Sequence, residues 1–168
     1  LNLGTGAASV TATGSFMEAS QKNFTIEWWM NTSHTSTYCA GIGNSESTML
    51  LKTDGNGAMS LYLADKSATS ANNFVVPGEW HHYAVVFEQP VVYFYRDGVQ
   101  ITKKALNKSI NQALTTLTIG GANVPFNGSI DEFRFWNVSR SVDQIRETAN
   151  QPISDVAAAE NAGLVLYY

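Results

Sequence analysis

Cysteine, proline and charged residues are scarce in this 168-residue chain. A single cysteine, Cys39, leaves no partner for an internal disulfide, and no local motif marks it as a catalytic nucleophile. Charged residues make up 14% of the chain, against about a quarter in typical globular domains. The net charge is −4 and no basic stripe occurs, so nucleic acid is not an expected partner. No apolar run approaches the roughly 18 residues of a membrane span, so direct membrane insertion is not expected.

Serine, threonine, asparagine and glycine replace the missing charges, which is typical of an all-β protein with polar outer faces and many turns. The length predicts one domain over residues 1–168. Because the chain begins at Leu1 and shows no targeting signal, we expect it to be a module of a longer polypeptide. The lack of a targeting signal therefore does not decide where the protein resides.

Alternating side chains and turn residues predict strands and hairpins along most of the chain. In "FTIEWWM", residues 24–30, apolar side chains alternate with a second, partly polar set, as expected of a strand. The sequence "TDGNG", residues 53–57, predicts a hairpin turn, since these residue types tolerate positive φ. Pro90 and the Asp97–Gly98 pair predict two further bends. Turns at this spacing favour an antiparallel two-sheet β-sandwich.

One C-terminal segment is predicted to be helical. In "RSVDQIRETAN", residues 140–150, Ser141 can cap a helix and Gln144 has the spacing of a capping box. Val142, Ile145 and Ala149 would form one apolar stripe of about two turns. We therefore expect one short C-terminal helix, followed by a loop or weak helix and a last strand in "GLVLYY", residues 163–168.

An acidic pair in "GSIDEFRFWN", residues 128–137, raises the question of catalysis. Strict alternation would place Asp131 on one face of the strand and Glu132 on the other. Glycosidases need two carboxyl groups that flank one glycosidic bond. Neighbouring acids that point apart cannot do so, and the pattern predicts a protein that is not an enzyme.

Paired histidines in "WHHY" raise the question of a metal site. His81 and His82 are neighbours on a predicted strand, so they point to opposite faces and cannot bind one zinc ion together. His82 is in phase with Trp80 and Ala84. We interpret it as a hydrogen-bonded structural histidine.

The order of "FTIEWWM", "GEWHHYAVVF", "VVYFYRDGV", "LTIGG" and "FNGSIDEFRFWNVSRSVDQI" resembles that of laminin-G-like, concanavalin A-like jelly-roll domains. The resemblance spans roughly residues 24–147. It implies two antiparallel sheets packed face to face, in a family common among bacterial secreted and surface proteins. Its members mostly bind ligands: glycans or other extracellular proteins, often with one structural calcium ion. An extracellular or cell-surface location is therefore expected.

Asp131 has two interpretations. It could accept backbone N–H hydrogen bonds near Gly128, or it could be a calcium ligand, as the resemblance implies. Calcium takes six to eight oxygen ligands, many of which sandwich loops can supply from backbone carbonyls. The remaining calcium ligands cannot be read from the sequence.

Aromatic side chains are the leading candidates for a glycan site, because sugar rings stack on tryptophan and tyrosine. Trp28 shares the phase of the apolar side chains and is predicted to be buried. Trp29 points to the second face, where either a loop covers it or it forms a stacking platform. Tyr38 lies in a long polar segment, and Tyr62 could border the same groove.

Polar groups in the same part of the sequence could bind sugar hydroxyls. Asn44, Asp54 and Asn56 are the candidates, and each is equally explained by turn formation. The resulting hypothesis is a non-catalytic carbohydrate-binding module whose partner is a glycan or polysaccharide. The alternatives are a structural or adhesive domain that binds other extracellular proteins without a glycan site, and a glycan hydrolase or lyase.

Overall fold

A computed structural model of the chain describes residues 2–4, 9–18, 21–33, 42–46, 48–107, 113–120 and 126–168. The described residues contain thirteen strands and two helices. The strands are β1 (Asn2–Gly4), β2 (Ser9–Met17), β3 (Asn23–Thr32), β4 (Ile42–Ser45), β5 (Met49–Thr53), β6 (Met59–Leu63), β7 (Lys66–Thr69), β8 (His81–Glu88), β9 (Val91–Arg96), β10 (Val99–Ala105), β11 (Leu114–Gly120), β12 (Gly128–Trp136) and β13 (Leu164–Tyr167). The helices are α1 (Val142–Ala149) and α2 (Val156–Asn161).

These strands form two antiparallel sheets, which confirms the predicted sandwich. In the described residues, one sheet has seven strands in the order β1-β12-β3-β8-β9-β10, with β13 also paired to β12. The other has six strands in the order β2-β11-β4-β5-β6-β7. The predicted hairpins are present as the β5–β6, β8–β9 and β9–β10 pairs.

The core lies between the two sheets. Strand β3 shows why the sequence folds this way, since Phe24, Ile26, Trp28 and Met30 all point inward and are buried. Burying one such side chain contributes about 1.5–3 kcal/mol. The predicted burial of Trp28 is confirmed.

Helix α1 covers the outer face of the seven-stranded sheet. The capping box is present, because the Ser141 hydroxyl accepts from the Gln144 N–H and the Gln144 side chain accepts from the Ser141 N–H. Ile145 packs against Ala84 and Val86 of β8 in a second, smaller apolar cluster. Helix α1 therefore shields part of this outer face from solvent.

The C-terminal region differs from the prediction of one helix. The segment expected to be a loop or weak helix contains the six-residue helix α2, whose first turn is capped by the Asp155 side chain. A run of three alanines, 157–159, favours helix once this cap is in place. The predicted last strand is confirmed as β13, paired with β12. Among the described residues no helix is long and apolar enough to cross a membrane.

Candidate functional site

A buried charge cluster lies between the seven-stranded sheet and α1. Glu27 of β3 is fully buried, and its Oε1 accepts hydrogen bonds from Trp136 Nε1 at 2.9 Å and from Arg140 Nη1. Arg134 Nη1 lies 3.7 Å from the same oxygen. Burial raises the pKa of Glu27, and the two guanidinium groups oppose that rise. The cluster ties β3, β12 and the start of α1 together, because an unpaired buried charge would be strongly destabilising.

His82 lies at the edge of this cluster and is buried, as predicted for a structural histidine. Its ring packs edge-on against Trp29, with 5.7 Å between ring centroids. Its Nε2 lies 3.9 Å from Glu27 Oε2, while its Nδ1 has no hydrogen-bond partner among the described residues. The expectation that this side chain is hydrogen-bonded therefore fails for Nδ1 and stays a prediction for Nε2. Burial, reinforced by the positive charge of Arg134, lowers the pKa of His82 to about 4.

A β-bulge in β12 overturns the prediction for the acidic pair. Asp131 pairs with Trp29 of β3, and the regular pairing resumes only at Arg134 opposite Glu27. Between these two pairs β12 has one residue more than β3, and Glu132 accommodates it with a φ of 50°. The core-facing side chains are consequently Ile130, Phe133 and Phe135 rather than one strictly alternating set. Asp131 and Glu132 thus lie on the same outer face, and the expectation that they point apart is wrong.

Glu132 is held by basic and hydroxyl donors. Its Oε2 accepts from Arg134 Nη2 at 2.7 Å and from the Tyr167 hydroxyl at 2.8 Å. Arg134 also donates to the backbone carbonyls of Thr148 and Gln151, at 2.7 and 2.6 Å. The Arg134 side chain therefore connects Glu132 in the bulge to the end of α1 and to the residues that follow it.

Trp29 lies between the sheet and the end of α1. Its Nε1 donates to the Ala149 carbonyl at 2.6 Å, and its ring is half-buried. The end of α1, rather than a loop, covers one side of Trp29, and the residue also lines an open hollow. Its role as a stacking platform stays a prediction.

That hollow brings together two tryptophans and several polar side chains. Its volume is about 360 Å³. Trp80, which is 47% exposed, precedes β8 and borders the hollow together with Trp29. We call it the tryptophan hollow; its lining residues are Trp29, Trp80, Asp131, Glu132, Ala149, Asn150, Gln151 and Pro152. Aromatic walls with a few polar groups are typical of small-molecule sites.

Two more of the predicted glycan-binding residues, Tyr62 and Asn44, belong to the six-stranded sheet. Tyr38 is outside the described residues. Tyr62 belongs to β6 of the six-stranded sheet, where it is half-buried on the outer face and Lys52 Nζ lies 4.5 Å from its ring centroid. Asn44 is exposed in β4 of the same sheet. Tyr62 and Asn44 do not line the tryptophan hollow.

Asp54 and Asn56 form the turn between β5 and β6. The Asp54 carboxylate accepts from the backbone N–H groups of Asn56 and Ala58, at 2.8 and 3.0 Å. The Asn56 carbonyl accepts from the Asn73 N–H. The turn-forming interpretation of both residues therefore explains their positions.

The described side chains around Asp131 do not fit a calcium cage. Asp131 is exposed, and its Oδ1 accepts from the Glu132 N–H at 3.1 Å. Glu132 is already bound by Arg134 and Tyr167. No group of three or more potential ligands of the His, Cys, Asp or Glu type occurs among the described residues. Calcium therefore stays a prediction from the family resemblance.

Among the aromatic and amide side chains of the lining, the sequence did not predict Trp80, Asn150 and Gln151 as site residues. Trp80 lies in the "GEWHHY" segment and is in phase with the predicted strand, but β8 begins only at His81 and Trp80 is exposed. The location of Asn150 and Gln151 depends on the packing of α1, for which the sequence has no signal.

The chain belongs to the Laminin_G_3 family of the concanavalin A-like lectin/glucanases superfamily, whose family model matches residues 3–146. Its fold is similar to a Bacteroides ovatus protein described as a candidate carbohydrate-binding protein: 20% identity, a TM-score of 0.68, and coverage of 88% of this chain and 45% of that one. It is also similar to domain 4 of AbnA, an extracellular arabinanase of Geobacillus stearothermophilus solved with arabinotriose: 18% identity, a TM-score of 0.60, and coverage of 77% and 66%.

Two further proteins are similar to this chain, one in sequence and one in structure. Pappalysin-1 of Mus musculus is 28% identical over 82 residues, which are 45% of this chain and 5% of that protein. A SAP-like pentraxin of Limulus polyphemus has 15% identity and a TM-score of 0.62, with coverage of 83% of this chain and 76% of that one. The chain thus spans only a small part of the curated relative and less than half of the Bacteroides protein.

Proposed function

We propose that this chain is a non-catalytic carbohydrate-binding module and that its ligand binds in the tryptophan hollow. One observation carries the proposal: Trp29 and Trp80 line a single open hollow together with carboxylate and amide side chains. The apolar C–H faces of a sugar ring can pack on indole rings, while the Asp131 carboxylate and the Gln151 amide bind its hydroxyl groups.

The similar structures support this proposal at the level of the fold. The Bacteroides protein is described as a candidate carbohydrate-binding protein, and the arabinanase domain was solved with an oligosaccharide. We infer from family membership that the present chain is a single module of a longer secreted or cell-surface protein. Its proposed partner is a glycan or polysaccharide.

A glycan array followed by calorimetry tests the proposal. We expect specific hits whose affinity falls at least about tenfold in Trp80→Ala, because tryptophans in binding sites commonly contribute 2 kcal/mol or more. Trp80 is 47% exposed, so its loss should change the free energy of unfolding little.

The matched control is Tyr62→Ala, which removes an aromatic ring from the outer face of the other sheet. This variant should bind as the wild type does. An array without hits, or binding lost in Tyr62→Ala and kept in Trp80→Ala, would contradict the proposal. An array without hits would favour the adhesive alternative.

The bulge in β12 keeps catalysis as a second candidate, because Asp131 and Glu132 share the hollow. Against it, both oxygens of the Glu132 carboxylate already accept hydrogen bonds from Arg134 or the Tyr167 hydroxyl. Prolonged incubation with each array hit should release no new reducing ends. Release that stops in Glu132→Gln would show a hydrolase instead.

A further inference from the structure

We propose that the tryptophan hollow selects a positively charged sugar, namely an amino sugar with a free ammonium group. This inference rests on the proposed function and adds the chemical class of the ligand. Glucosamine units, as in deacetylated chitin fragments, carry such a group, whereas their N-acetylated counterparts are neutral.

The charged groups that line the hollow favour a cationic ligand. Two carboxylates line it, and one of them, Glu132, is paired with Arg134 at 2.7 Å. Asp131 is exposed and has no basic group within 4.0 Å among the described residues. Among the described residues that line the hollow there is no lysine, arginine or histidine. Of the two carboxylates in the described lining, that of Asp131 is therefore the one without an ion-pair partner.

The two tryptophans that line the hollow also favour a cation. The faces of the Trp29 and Trp80 indoles carry partial negative charge and attract ammonium groups, with tryptophan the strongest of the aromatic side chains in this respect. A cation that approaches Asp131 would thus meet favourable electrostatics from the carboxylate and from the rings. An anionic sugar would face the Asp131 carboxylate without a compensating cation.

The number of oxygen ligands near Asp131 distinguishes an organic cation from a metal ion. Calcium requires six to eight oxygen ligands, and the described side chains do not gather them at Asp131. An ammonium group has only three N–H donors, which one carboxylate and nearby amide or hydroxyl oxygens can satisfy. Its sugar ring can at the same time cover an indole face.

Isothermal titration with two matched hexasaccharides tests the inference. We expect the glucosamine hexamer to bind wild-type protein about tenfold more tightly than the N-acetylglucosamine hexamer, and added salt to reduce this difference. Asp131→Asn should remove the preference, since it keeps the shape and the acceptor for the Glu132 N–H but not the charge.

Glu79→Gln is the matched control. Glu79 precedes Trp80 and its side chain is 73% exposed, but it does not line the hollow. This variant removes the same unit of negative charge and should keep the preference. Equal affinity for the two hexamers, a preference that survives in Asp131→Asn, or an equal loss in Glu79→Gln would overturn the inference.

Two further outcomes separate the inference from the proposed function. If neutral glycans bind in a Trp80-dependent manner and no preference for glucosamine is found, the module is confirmed as glycan-binding and the inference is wrong. Poly-L-lysine that binds as tightly as the glucosamine hexamer, with the same sensitivity to Asp131→Asn, would show ammonium binding without sugar recognition. That result would also overturn the inference.

Discussion

At the scale of single residues, the tryptophan hollow is underlain by buried polar groups. Glu27, Arg140 and His82 are all buried, and the Trp29 ring packs on the His82 ring. Burial lowers the pKa of Arg140, although the neighbouring Glu27 raises it again. Removing one partner of a buried ion pair typically costs 3–5 kcal/mol. Trp29 itself is held by its contact with His82 and by its hydrogen bond to the Ala149 carbonyl.

His82 should make the stability of the fold depend on pH. Its pKa is about 4 in the folded protein and about 6.5 when exposed, so the unfolded state binds the proton first as the pH falls. Stability is therefore lost between about pH 6.5 and pH 4, by about 2 kcal/mol from pH 7 to pH 5.

Urea unfolding at pH 7 and pH 5 measures this effect, with His82→Gln as the comparison that cannot titrate. Glu27 acts with the opposite sign, because burial raises its pKa and the folded state then keeps its proton longer. The difference between wild type and variant isolates His82. If both proteins lost the same stability between these pH values, His82 would not be the group responsible.

At the scale of elements, regular segments could be predicted and irregular ones could not. The alternation in β3, the turns at residues 53–57 and 97–98 and the capping box of Ser141 are local signals, and each is confirmed. The bulge at Glu132 depends on how β12 pairs with β3, so strict alternation gave the wrong face for this acid.

Helix α1 covers one side of Trp29, and its cap offers a test of how the element is held. Ser141→Ala removes the hydroxyl that accepts from the Gln144 N–H at 3.2 Å, so we expect a loss of about 1 kcal/mol in the free energy of unfolding. Ser154→Ala changes an exposed serine outside any helix and should stay within about 0.5 kcal/mol of wild type. Equal stabilities of the two variants in urea would contradict the capping role.

At the scale of the whole molecule, the sandwich has two outer faces, and the predicted site residues are divided between them. Trp29 and Asp131 are direct neighbours on the seven-stranded sheet, whereas Tyr62 and Asn44 belong to the six-stranded sheet. The sequence predicts which side chains leave the core, but not which of them meet. That assignment depends on strand order and on the packing of α1, which are set by the entire chain.

The four tryptophans allow the position of the ligand to be measured directly. Trp28 and Trp136 are 0% and 5% exposed, whereas Trp29 and Trp80 line the hollow. The measurement is a titration of ¹⁵N-labelled protein with the tightest array hit, following the indole N–H signals by NMR. We expect the Trp80 and Trp29 signals to shift until saturation while those of Trp28 and Trp136 stay in place. Saturable binding that leaves the Trp80 signal unmoved would contradict a glycan site in the tryptophan hollow.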